Sequence, residues 1–105
     1  MDVATVSKDM FDAAQRAAGN AWGKIQHDFA SDLGGVLRNA ARIEEQLRVN
    51  ALSEPDAEDL LRAQSNTLFI LSQEAEVEAE VLAQNAINAA IDVLWTAVKA
   101  AAKFP

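Results

Sequence analysis

Asn50-Ala51-Leu52-Ser53-Glu54-Pro55-Asp56-Ala57-Glu58 is the one stretch in which helix-ending and helix-starting signals stand back to back. Ser53 followed three residues later by Asp56 resembles a capping box. Pro55 falls in the first turn of the following helix, where a missing N–H costs nothing. Glu54, Asp56, Glu58 and Asp59 suit the positive end of that helix's macrodipole. On either side lie long segments with helical periodicity, so the stretch predicts a chain folded back on itself.

The first segment carries one apolar stripe through Phe11, Ala14, Ala18, Trp22, Ile25, Phe29, Leu33, Val36, Ala40, Ile43 and Leu47, at spacings of three and four. Ser7 is a candidate cap, and residues 1–6 read as a lead-in. Gly34-Gly35 is the weak point, since each glycine costs roughly 0.5–1 kcal/mol against alanine inside a helix. The stripe keeps its phase across the pair, which favours a continuous helix. Gly19 and Gly23, four apart, suggest a place where another helix comes close.

After Ser53, Leu61, Gln64, Leu68, Leu71, Ala75 and Leu82 form one stripe. Ile87, Ile91, Leu94 or Trp95, Val98 and Ala101 form a second at a shifted phase. The reading is an all-α single domain over 1–105: helix about 7–51, turn about 52–54, helix about 54–102. Each arm of this long antiparallel hairpin is roughly 65–70 Å at about 1.5 Å per residue. Phe69, Ile70, Val77 and Val81 lie off the first stripe, and a helix apolar on several sides needs more than one neighbour. A second copy of the chain is the simplest supplier, giving a coiled-coil-like four-helix bundle or a larger homo-oligomer. The expected interface comprises Trp22, Phe69, Val81, Ile87, Ile91, Trp95 and Val98.

Composition points the same way. The chain has 105 residues, half of them apolar but many of these alanine, with Phe four times, Trp twice and no Tyr. A small domain has little interior, and alanine thins it further, so close helix contacts or subunit association must compensate. Trp22 and Trp95 read as the bulky anchors among the small residues. The formal charge of -7 and pI near 4.5 argue against a nucleic-acid partner, which needs a concentrated basic surface. Only Arg38, Arg42 and Arg48 approach a cluster. Cysteine is absent, which removes disulfides, thiolate catalysis and sulfur-bound metals. The N-terminal residues lack the features of a signal peptide, and no stretch approaches the roughly twenty uncharged residues of a membrane span. A cytoplasmic protein is expected.

The most unusual local feature is Glu74, Glu76, Glu78 and Glu80, alternating with Ala75, Val77 and Ala79. On a helix, Glu74 and Glu78 share a face, as do Glu76 and Glu80, and each pair repels by a few tenths of a kcal/mol. A hairpin register would bring His27 and Asp28 close to them. His27, Asp28, Glu74 and Glu78 are therefore the candidate ligands of a divalent metal in a ferritin-like carboxylate bundle. Di-metal bundles pair a Glu with a His three residues on, and this chain has no such pair. A solvated acidic face with His27 at its edge is the preferred reading, with no cofactor.

Catalysis has little to stand on. His27 is the only histidine, and Ser31 beside it lacks a third member. Gly34-Gly35 has no Lys-Ser/Thr sequel for a phosphate loop. Glu44 and Glu45 point about 100 degrees apart on a helix, and Glu44 is expected to pair with Arg48 on the outer face. The functional expectation is a non-catalytic, self-associating helical structural or adaptor protein with an acidic surface that binds protein partners. The alternatives are the metal-binding bundle and a surface-coating protein that docks through Ile91, Trp95 and Val98.

Overall fold

The computed structural model describes residues 1–64 and 77–103, and every regular element among them is helical. α1 spans Val3–Ala18, a short 3-10 turn occupies Gly19–Ala21, and α2 spans Trp22–Arg48. α3 spans Glu54–Gln64 and α4 spans Val77–Lys103. The result is an all-α bundle of three long helices, α1, α2 and α4. The shorter α3 lies against α2 and α4.

α1 starts earlier than Ser7. The Asp2 carboxylate accepts the Thr5 N–H at 3.3 Å and the Thr5 hydroxyl at 2.8 Å, which caps the first turn. Those bonds favour the ionised form and hold the Asp2 carboxyl below its ordinary value, the side-chain bond from Thr5 contributing most. Val6, Met10, Ala14 and Ala18 form its buried stripe.

The expected single first arm is broken, and the break is at Gly19 and not at Gly34-Gly35. Gly19 has φ +56° and ψ -128°, a conformation that side chains rarely adopt, and its N–H closes α1 on the Gln15 carbonyl. The chain then turns back. The Met1 ammonium lies 3.5 Å from Glu44 Oε1, and the Phe11 and Phe29 rings are 5.3 Å apart, so α1 runs antiparallel to α2. α2 continues without interruption through Gly34 and Gly35, as the phase of its stripe predicts.

Two glycine substitutions therefore have opposite expected signs. A Cβ added at Gly34 meets only the Arg38 guanidinium, at 3.7 Å, an ordinary contact. Gly34→Ala should raise stability by about 0.5–1 kcal/mol. Gly19 has open space around it, so the cost there is conformational alone, and Gly19→Ala should lower stability by about 1–3 kcal/mol. Urea unfolding of the two variants beside the parent protein measures both.

The turn after α2 follows the sequence closely. Asn50 takes φ 60°, and the Ala51 and Leu52 N–H groups both reach back to the Gln46 carbonyl, at 2.8 and 3.3 Å. Ser53 Oγ accepts the Asp56 N–H at 3.3 Å and starts α3, with Pro55 inside the first turn.

The second arm is not one rod. Lys103 Nζ is 3.7 Å from Glu54 Oε1, and Arg62 Nη2 donates to Asp92 Oδ1 at 3.3 Å. In a straight helix Glu54 and Lys103 would stand about 70 Å apart. α3 and α4 instead lie side by side and antiparallel, and the longest dimension of the molecule is 42 Å. α4 ends beside the α2–α3 turn, where Leu47, Arg48, Lys99 and Lys103 surround one cavity. It is thus parallel to α2 and antiparallel to α1.

α4 lies along α1 for most of the length of α1, and it touches α2 and α3 as well. Its several apolar sides are met by helices of its own chain. Phe29, Met10, Ile43, Leu61, Leu94, Val36 and Val98 are the largest fully enclosed side chains. Alanines fill the remaining space: Ala14, Ala18, Ala40, Ala57, Ala86 and Ala90 expose nothing to solvent.

Candidate functional site

A surface groove of about 430 Å³ runs between α1 and α4. Its floor is apolar and shallow: Val6 comes from α1, and Val93, Ala97 and Ala100 come from α4. These residues sit there because Val6 belongs to the edge of the α1 stripe, while Val93, Ala97 and Ala100 follow one another at helical spacing along the side of α4 beside α1. Short side chains in this row leave room for another main chain to come near.

Two carboxylates mark the rim, Asp9 on α1 and Asp92 on α4. Asp9 is exposed and makes no ion pair among the described residues. Asp92 is paired with Arg62 but keeps a side-chain exposure of 69%. Arg62 also donates to Glu58 at 2.8 and 3.1 Å. The bond to Glu58 is the main cause that raises the Arg62 guanidinium above its ordinary value, with Asp92 adding to it and partial burial opposing. Thr96 lines the groove too, but its hydroxyl donates to the Asp92 carbonyl at 2.9 Å and is already occupied. The groove thus offers an apolar strip with negative charge along its edge, which is suited to holding a surface by contact.

The residues expected from sequence fall elsewhere. Of the expected oligomer interface, Trp22, Ile87, Ile91, Trp95 and Val98 are all buried within one chain. Their apolar faces are covered by α1, α2 and α4 themselves, because the chain folds into shorter helices than the two-arm hairpin assumed. Val81 differs, at 59% exposed, and Phe69 lies outside the described residues. The same burial encloses Ile91, Trp95 and Val98 as contacts for a coated surface.

His27 and Asp28 sit on the exposed side of α2. Glu74 and the side chain of Glu78 lie outside the described residues, as does most of the alternating acidic run. Among the described residues, no three His, Asp or Glu side chains gather where they could hold a metal ion. Ser31 is exposed, and no hydrogen bond joins it to His27 among the described residues.

Glu44 departs from expectation in an informative way. It does pair with Arg48, but it is buried instead of lying on the outer face. Its second partner is the Met1 ammonium, at 3.5 Å, with the Met1 side chain 2% exposed. A buried carboxylate needs such partners, because an uncompensated charge away from water is costly. Nothing in the local pattern around Glu44 announces the terminal ammonium, which reaches it only because α1 folds back along α2.

The segment Val81–Lys103 is long and apolar enough, by length and composition, to cross a membrane. Ile87, Ile91, Leu94, Trp95 and Val98 in that segment are core residues of the bundle. A central helix in an alanine-rich bundle has this composition for the same reason a spanning helix does: it meets apolar neighbours on several sides.

Comparison of the chain with protein-family models, with curated proteins and with solved structures gives no match. The functional reading therefore rests on the groove and the charge around it.

Proposed function

We propose that this chain is a non-catalytic helical structural or adaptor module that associates with protein partners, copies of itself included, through an acidic surface. The observation that carries this reading is the α1–α4 groove, where a floor of Val6, Val93, Ala97 and Ala100 lies beside the Asp9 and Asp92 carboxylates. An amphipathic helix could lay its apolar side along such a floor and place Lys or Arg at the rim. The net charge of -7 favours a basic partner, since like-charged copies repel over the whole surface.

Salt separates the two kinds of partner. Screening weakens attraction to a basic helix but relieves repulsion between acidic copies. Sedimentation velocity of the protein alone, and with a lysine-rich amphipathic helical peptide, should be run at low and high salt. Association in the micromolar range is expected in at least one of these mixtures. The double substitution Asp9→Lys with Ala97→Phe, which reverses the charge at one of the two rim positions and fills the floor, should abolish it. A folded protein that stays monomeric and takes up no peptide at either salt concentration overturns the reading.

A further inference from the structure

At the opposite end of α4 from its first turn, a second cavity of about 310 Å³ opens beside the α2–α3 turn. Arg48, Lys99 and Lys103 all line it, against the single carboxylate of Glu54. This is a third of the nine Lys and Arg residues in a chain whose net charge is -7. Lys99 and Lys103 stand one turn apart on α4, and it is the parallel packing of α2 and α4 that brings the sequence-distant Arg48 to them.

Each of the three cations has a partner that it can share or leave. Arg48 is held on one side by Glu44, which the Met1 ammonium also neutralises. Its side chain is still 41% exposed, so part of the guanidinium fork faces outward. Lys99 Nζ rests over the Trp95 ring, 5.4 Å from its centroid, a cation–π attraction that is weak beside an ion pair with a multiply charged anion. Lys103 meets Glu54 at 3.7 Å, with side-chain exposures of 64% and 55%, where solvent screening leaves an ion pair with little strength. Asn50 and Ser53 add polar groups to the wall, and Leu47, Leu52 and Ala102 complete it.

We infer that this cavity is a binding site for a small phosphate-bearing anion. A guanidinium fork and two flexible ammonium groups around one half-open cavity match a group with several charged oxygens. Such a ligand takes Lys103 from Glu54 and lifts Lys99 from the face of Trp95. The site is separate from the α1–α4 groove and does not rest on the reading given for it.

Nuclear magnetic resonance titration of the intact protein with inorganic phosphate and with pyrophosphate, at constant ionic strength set by chloride, tests this directly. Saturable shifts are expected at the Trp95 indole N–H, at the backbone amides of Ser53, Glu54, Asp56 and Ala57, and at those of residues 99–103. Pyrophosphate should bind more tightly than phosphate. Lys99→Gln and Lys103→Gln should each weaken binding by about tenfold, while Glu54→Gln, which removes the competing carboxylate, strengthens it. All three positions are at the surface, and the unperturbed spectrum of each variant away from the cavity verifies its fold. Shifts that fail to saturate, that spread across the surface, or that persist unchanged in both lysine variants overturn the proposal.

Discussion

Replacing Phe29 by alanine should lower the unfolding free energy by about 3–5 kcal/mol. Phe29 is fully enclosed and sits where α1 turns back along α2. Its ring lies 5.3 Å from that of Phe11 at 81° and 5.6 Å from that of Trp22 at 63°. Phe11 and Trp22 complete the cluster at 5.8 Å and 89°. These edge-to-face arrangements add about 0.5–1.5 kcal/mol per pair beyond the area that the rings bury. Deleting the central ring leaves a cavity that alanine-rich surroundings have few flexible side chains to fill. Phe29→Leu, which keeps most of the volume, should cost clearly less. Urea denaturation followed by far-ultraviolet circular dichroism gives both values. A loss below about 1 kcal/mol for Phe29→Ala would mean that α1 does not fold back onto α2 at this point.

Trp95→Ala should be comparably damaging, at about 3–5 kcal/mol. Trp95 is 7% exposed on α4, the helix that touches all the others. Its neighbours Leu94, Ile91 and Val98 expose almost nothing, so the indole is one large piece of a continuous interior. The face that remains near solvent is covered by the Lys99 ammonium. Because the ring is buried in the single chain, the loss should be independent of protein concentration. A cost that grows on dilution would instead place the indole between subunits, and a cost near zero would show it exposed.

Much of this architecture could be read from the residues, and the parts that could not share one cause. The turn at Asn50–Ser53 was legible because its signals are local: a residue tolerant of positive φ, a hydroxyl cap and a proline at the helix start. The uninterrupted passage through Gly34-Gly35 was legible from the phase of the stripe around it. The break at Gly19 was not. Ala14, Ala18, Trp22 and Ile25 are buried whether the helix is straight or interrupted, and periodicity records which side faces inward without recording where the axis points. Arg16 in the last turn followed by Gly19 is a helix-ending pattern, and it is the one local signal that marks the break.

The same blindness governs the site. The several apolar sides of the α4 segment correctly signalled more than one neighbour, yet the identity of that neighbour depends on where the chain reverses. With arms of full length, another copy was needed to cover Ile87, Ile91 and Trp95. With shorter helices, α1 and α2 do so. The α1–α4 groove and the three-cation cavity were invisible for this reason. Each is made of residues from helices whose adjacency follows from the fold and from no motif. The pairing of Asp92 with Arg62, thirty residues away, belongs to the same class.

The buried methyl groups of Ala14, Ala18, Ala86 and Ala90 set how near the axes of this bundle can come. Such an interior is less sensitive to trimming at those positions than to growth. Every added carbon must push whole helices apart, at a typical cost of about 1–3 kcal/mol for a modest enlargement. Variation in this protein should therefore show a lopsided tolerance, with alanine-to-glycine changes surviving where valine or leucine is rejected.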